Sequence, residues 1–188
     1  MPRLLILIAV IPIVITLAAR WWFGLRLLKS YTENSCKCDL EIWKQTFGEQ
    51  NLPTSSTGTQ MMFAESLRKT ALDDWRARDK KAATSREGTR RFGMAVPPLT
   101  AMIVILGIMV GRVTPSYGIA IFLLATALSA IFCYLTIATE INAILTTARR
   151  LRESGIFHRR DDEDAVIQAA IALSWKESAP PIFNLIQR

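Results

Sequence analysis

The sequence predicts an all-α membrane protein with three transmembrane helices, one near the N-terminus and two in a tight hairpin, together with cytoplasmic helical segments. Three apolar blocks are each close to the length of about 20 residues that a helix needs to cross a bilayer. The segments between and after them show the spacing of amphipathic helices. The chain is 51% hydrophobic with a mean hydropathy of +0.24, so the prediction depends on apolar blocks and not on average composition.

The first transmembrane helix is predicted at residues 4–28, with an interfacial end. A cleaved signal peptide carries its positive charges before the apolar stretch. Here Arg20 and further basic residues follow it. Trp21 and Trp22 are typical of a membrane–water interface. The segment is therefore interpreted as a membrane helix.

Residues 29–92 are predicted to form a cytoplasmic helical segment. Apolar residues at helical spacing predict one helix over Asp39–Phe47 and another from Met61 to about Ala83. Residues 51–59 between them are rich in Ser, Thr, Pro and Gly, which predicts a loop.

A transmembrane hairpin is predicted at residues 93–138, with helices at about 94–113 and 119–138. Only residues 114–118, which include a proline and a glycine, separate the two apolar blocks. Two helices joined by so short a turn form an antiparallel hairpin.

Small residues mark both helices of this hairpin. Gly107 and Gly111 form a G-x-x-x-G pattern in the second block, and Ala125, Ser129 and Cys133 form a row at spacing four in the third. Small residues let membrane helices approach closely. Two interpretations stay open: the two faces pack on each other, or they dock a protein partner.

Residues 139–188 are predicted to form a cytoplasmic helical hairpin and tail. The helical spacing continues beyond the third membrane block until Gly155, which supplies a stop. A second helix opens at the acidic run 161–164 and ends at the prolines 180–181. The apolar tail 182–186 requires a partner surface or the membrane interface.

The basic residues predict the orientation of the chain. The net charge is +7, and this basic balance is explained by charge held at the cytoplasmic membrane face, so no nucleic-acid partner is expected. One side of the apolar blocks is flanked by Arg20, Arg26, Lys29, Arg86, Arg90, Arg91, Arg149, Arg150 and Arg152. The other side has only Arg3 and Arg112. The N-terminus is therefore expected outside and the C-terminus in the cytoplasm.

The usual catalytic patterns are absent from the sequence. It contains no H-E-x-x-H, no glycine-rich phosphate loop and no C-x-x-C. His158 is the single histidine, and a C-x-C pair at Cys36 and Cys38 is too few ligands for a closed zinc site. No catalytic, cofactor-binding or metal-binding residue is assigned, and no cofactor is expected.

A family resemblance is carried by the order of several short motifs. These are Val96-Pro97-Pro98, Glu140-Ile141-Asn142-Ala143, Arg149-Arg150-Leu151, Gly155-Ile156 and Ala169-Ala170. Over about residues 93–175 the chain resembles the bacterial membrane neutral zinc metallopeptidase family. The resemblance implies an N-terminal membrane helix, a cytoplasmic zinc-peptidase segment, a membrane hairpin and a location in the bacterial inner membrane.

The chain departs from that family at the zinc-binding helix. The best counterpart of the family's motif is Ala64-Glu65-Ser66-Leu67-Arg68, in which Ala64 and Arg68 occupy both histidine positions. A guanidinium is not a zinc ligand. Glu140 matches the acidic ligand position but cannot hold zinc alone. The resemblance therefore implies a degenerate member, a pseudoenzyme that keeps the scaffold and lacks the metal.

Three functions follow as hypotheses. The preferred one is a non-catalytic structural, assembly or accessory subunit of a membrane complex, with Gly107, Gly111, Ala125 and Ser129 as candidate packing residues. The alternative is a metallopeptidase-like enzyme with an altered metal site, which would use Glu65, Glu140, His158, and Cys36 or Cys38. The second alternative is a small oligomeric transporter or channel.

Overall fold

A computed structural model describes residues 2–177, and 83% of these residues are helical. Within this range, three helices are long and apolar enough to span a membrane: Arg3–Glu33, Lys80–Met109 and Pro115–Ser154. The prediction of a mainly helical chain with three such helices is confirmed. The predicted apolar tail and the prolines at 180–181 lie outside the described residues.

The helices and strands follow one another in a simple order. They are α1 (Pro2–Ala19), a π-helical segment (Arg20–Leu25), α2 (Arg26–Glu33), β1 (Ser35–Lys37), α3 (Leu40–Phe47), β2 (Thr57–Thr59), α4 (Gln60–Arg78), α5 (Lys80–Met109), α6 (Pro115–Ser154) and α7 (Arg160–Glu177). As expected, α6 runs without a break far beyond the apolar block. In contrast, α5 begins fourteen residues before the predicted start, because Asp79 ends α4 and its carboxylate accepts a hydrogen bond from the Ala82 amide.

The chain divides into two compact units. Among the described residues, the first unit, here called the apolar-helix unit, comprises residues 2–20 and Ser85–Thr136. The second, called the polar unit, comprises Trp21–Thr84 and Ile137–Glu177.

The turn of the apolar hairpin lies earlier than the sequence indicated. Helix α5 ends at Met109, and Pro115, expected within the turn, opens α6. Gly111 has φ +72°, and its amide donates to Ile108 O while the Arg112 amide donates to Gly107 O. This pair of bonds is a Schellman motif, which uses a left-handed glycine just past a helix end.

This turn corrects the interpretation of the G-x-x-x-G pattern as a helix face. Gly111 lies beyond the helix, so the two glycines do not form a continuous surface on α5. A Cβ at Gly107 would lie 2.8 Å from Cγ2 of Val113, so this glycine makes room for the returning chain. Both glycines of the pattern therefore contribute to the turn between α5 and α6.

Two residues of the small-residue row on α6, Ser129 and Cys133, pack against α5 at Gly93. A Cβ on Gly93 would lie 3.0 Å from the Cys133 sulfur, so the two helices approach closely there. The Ser129 hydroxyl donates to the Gly93 carbonyl. That carbonyl lacks its usual helical donor because Pro97, four residues later, has no N–H. Ser129 therefore compensates for a proline in the neighbouring helix.

The polar unit has a core formed mainly where α4 packs against α7, with α2 and a small sheet beside them. The sheet was not predicted: β1 and β2 pair antiparallel with Cys36 opposite Gly58, and β2 falls in the expected loop. Strands of three residues are too short to show a clear alternation of apolar and polar residues. Asp39 caps α3, because its carboxylate accepts hydrogen bonds from the Glu41 and Ile42 amides.

Candidate functional site

A buried cluster of polar side chains lies inside the polar unit, where α4, α6 and α7 contribute one residue each. Helix α4 turns a small and apolar face inward, formed by Ala64, Leu67 and Ala71, which are fully buried. Arg68 lies on the same face, one helical turn after Ala64, and is also buried. The cluster therefore results from one charged residue placed at a core position of α4.

The partners of Arg68 come from distant parts of the chain. Its Nε donates to Oε1 of Glu140 on α6 at 2.5 Å, and Ser174 of α7 donates its hydroxyl to the same oxygen at 2.8 Å. Nη1 of Arg68 lies 2.8 Å from Oε2 of Glu177. The side chains of Arg68 and Glu140 are only 10% and 6% exposed. The buried carboxylate is thus paired and hydrogen-bonded, as a buried charge must be.

The sequence-derived motif residues separate into two groups. Ala64, Arg68 and Glu140 are buried, and the last two are in direct contact. Glu65, the retained glutamate of the motif, is exposed. The contact between Arg68 and Glu140 joins residues 72 positions apart. The resemblance alone placed these two residues at related positions, and no local signal in the sequence predicted that they would pair.

This arrangement places the positive guanidinium of Arg68 directly against the Glu140 carboxylate. A guanidinium offers donors only, so it binds the carboxylate and leaves Glu140 committed to an ion pair. Among the described residues, no group of three or more His, Cys, Asp or Glu side chains is placed to hold a metal ion. Within the cluster, charged side chains from α4, α6 and α7 neutralise one another.

The residues suggested for an altered metal site are not gathered at one place. Cys36 and His158 line a cavity of about 290 Å³ together with Asp162. Glu65 and Glu140 are not among its lining residues, which also include the cations Lys37 and Arg159. The structure therefore brings together one pair from the suggested set, in a cavity of mixed charge.

The two cysteines of the C-x-C pair are free and buried on one side of β1 and its extension. Burial raises the pKa of Cys36 to about 12, with the negative charge of Asp162 adding to the effect. Burial likewise raises the pKa of Cys38 to about 11. Both thiols are therefore protonated near neutral pH, and a protonated buried thiol is a poor nucleophile or metal ligand.

A second charged group lies at the start of α7. Arg152 Nε is 3.2 Å from Oε1 of Glu163, and Arg152 also pairs with Asp164. These residues and Arg160 line a cavity of about 380 Å³. Burial raises the pKa of Glu163, while Arg152 acts in the opposite direction. The contacts join the end of α6 to the start of α7.

Comparisons with protein-family models, curated proteins and solved structures found no match to the chain. The functional proposal therefore depends on the geometry of the buried cluster and of the apolar helices.

Proposed function

We propose that the chain is a non-catalytic integral membrane protein that serves as an accessory or assembly subunit of a membrane complex, on a degenerate metallopeptidase-like scaffold. One observation carries the proposal. The position that the resemblance would give to a zinc ligand holds Arg68, whose guanidinium is bonded to Glu140 inside the core. In the proposed scaffold, the position of a zinc ligand is therefore occupied by an ion pair that stabilises packing.

The membrane part of the proposal rests on the exposed apolar surface of the three long helices. Large apolar side chains on α1 and α5 are half or more exposed, including Leu7 at 66%, Ile103 at 66% and Met109 at 77%. Surfaces of this kind are covered by lipid or by protein. We place the chain in a bacterial inner membrane, with the N-terminus outside and the C-terminus in the cytoplasm.

Restoring two histidines tests the scaffold proposal directly. In the double variant Ala64→His/Arg68→His, two imidazoles one turn apart would face Glu140, a third ligand freed from its ion pair. We expect one zinc per chain, measured by metal analysis of the purified variant. Adding Glu140→Gln should weaken zinc binding by about 10-fold or more.

The matched control places the same histidine pair on an exposed side of α4. Glu65 and Lys69 are exposed and also one turn apart, so Glu65→His/Lys69→His supplies two ligands without the buried carboxylate. Equal zinc binding by both double variants would argue against a metallopeptidase-like geometry. Circular dichroism of each variant, with and without zinc, separates a failure to fold from a failure to bind.

Native mass spectrometry of the gently solubilised wild-type protein tests the subunit proposal. We expect stoichiometric co-purifying proteins and no bound zinc. Recovery of a lone monomer would count against an accessory subunit. One zinc per chain in the wild type would contradict the assignment of Arg68 as a substitute for a ligand.

A further inference from the structure

The helix that follows the first apolar segment presents an exposed face of aromatic and basic side chains. Trp22, Arg26 and Lys29 are exposed and are spaced four and three residues apart, which places them on one side of the helix. The Arg26 guanidinium lies over the Trp22 ring, 4.7 Å from its centroid. This trio is called the Trp22 face below.

The opposite side of the same helix is fixed against α7. A Cβ on Gly24 would lie 3.1 Å from the backbone nitrogen of Lys176, so the two helices are in close contact there. Leu28 is buried in the core, and the Tyr31 hydroxyl donates to Gln168 at 2.6 Å. Within the polar unit, these contacts fix which side of the helix is packed and which is exposed.

We propose that the Trp22 face binds the phosphate headgroup of an anionic phospholipid at the membrane surface. The inference rests on the proposed membrane location and adds the class of lipid. Tryptophan rings favour the headgroup level of a bilayer, and Arg and Lys close to a membrane helix attract anionic lipids. A planar guanidinium also matches a phosphate group in geometry.

Two features favour a lipid over an acidic protein as the occupant. The face directly continues the candidate membrane helix Arg3–Glu33. Its neighbour Trp21 is also exposed, at 53%, which suits the apolar side of the headgroup region better than a polar protein surface. The acid Glu33 ends the helix one turn after Lys29, so positive charge is concentrated at the end next to the apolar segment.

The test is a lipid titration of the purified detergent-solubilised protein, followed by native mass spectrometry. We expect phosphatidylglycerol to bind more tightly than phosphatidylcholine. Arg26→Gln/Lys29→Gln should reduce this preference by about 10- to 30-fold. The matched control Lys44→Gln/Lys69→Gln removes two exposed positive charges elsewhere in the polar unit and should leave the preference unchanged.

Two further arms make the result decisive. Trp22→Leu should weaken phosphatidylglycerol binding several-fold, because the ring supports the guanidinium, and glycerol phosphate should not compete. An unchanged preference in Arg26→Gln/Lys29→Gln, an equal loss in the control, or full competition by glycerol phosphate would each overturn the proposal. Membrane fractionation of the same variants shows separately whether the membrane location itself holds.

Discussion

Arg68 and Glu140 form an ion pair in the core of the polar unit. The guanidinium of Arg68 also reaches Glu177, and Ser174 supplies a further hydrogen bond to Glu140. Removing one member of such a group leaves the other charge in a poorly solvated site. Losing one member of this pair is therefore more costly than losing one side of an apolar contact of the same size.

We predict that Arg68→Met lowers the free energy of unfolding by about 3 to 5 kcal/mol, because Glu140 is left buried without its cation. Arg68→Met/Glu140→Leu should recover most of this loss. Thermal or detergent-induced unfolding followed by circular dichroism measures both. The control is Arg76→Met, since Arg76 is 60% exposed and lies 3.7 Å from Asp73; its effect should stay below about 1 kcal/mol. Equal losses at the two arginines would contradict this account.

A second residue-scale prediction concerns the hydrogen bond from Ser129 to the Gly93 carbonyl. Ser129→Ala should lower the free energy of unfolding by about 1 kcal/mol. In a Pro97→Ala background the cost should nearly vanish, because residue 97 then donates its own N–H to Gly93. The two single variants and the double variant form a thermodynamic cycle. An unchanged Ser129→Ala cost in that background would show that the hydroxyl acts through packing and not through the carbonyl.

At the scale of elements, the sequence predicted the long helices well because apolar blocks and helical spacing extend over many residues. Helix α7 begins at Arg160, next to the predicted acidic run, and α6 continues as one rod. The features that were missed depend on distant or very short segments. The sheet at Cys36 pairs residues 20 to 24 positions apart, and the position of Gly111 depends on a backbone conformation that a residue pattern does not reveal.

The candidate site was only partly predictable for the same reason. The motif comparison singled out Arg68 and Glu140 separately, but their contact requires three helices to pack in a particular register. Ser174 carried no signal of its own, because a serine in a helix is commonly exposed. Burial of these residues is a property of tertiary packing, which single-sequence periodicity does not determine.

At two glycines in helical segments, substitution by alanine is expected to change the stability of the protein in opposite directions. Gly24→Ala should destabilise the protein by about 1 to 2 kcal/mol, because its Cβ would press on the backbone of α7 near Lys176. Gly88→Ala should stabilise it by about 0.5 to 1 kcal/mol, since nothing lies within 4 Å of the added carbon and alanine favours the helix. Thermal unfolding in detergent compares them. A stabilising Gly24→Ala would show that the contact with α7 can readily adjust.

At the scale of the whole molecule, charge is distributed unevenly between the two units. By sequence, residues 2–20 and 85–136 carry six basic residues and one acidic residue, whereas the polar unit carries sixteen basic and fifteen acidic residues. Most of the net charge therefore belongs to the apolar-helix unit, at residues that flank its apolar blocks. Charge in such positions governs the orientation of membrane helices.

Cysteine labelling tests the proposed orientation. Ser116→Cys, at the start of α6, should react with a membrane-impermeant maleimide in intact spheroplasts. Gln50→Cys, in the polar unit, should react only after permeabilisation. The native cysteines are buried, and the raised pKa values of Cys36 and Cys38 keep their thiols protonated, so the unmodified chain provides the background. The reverse labelling pattern would invert the orientation.

Pro97 in α5 affects the way the chain would enter a bilayer during synthesis. The Gly93 carbonyl receives its replacement donor from a residue that is made 36 positions later. Until then, a nascent α5 inserted alone would carry an unsatisfied carbonyl near the hydrocarbon, which is costly. The two helices of the hairpin are therefore expected to leave the translocation machinery as a pair, because α5 alone would insert into the bilayer unfavourably.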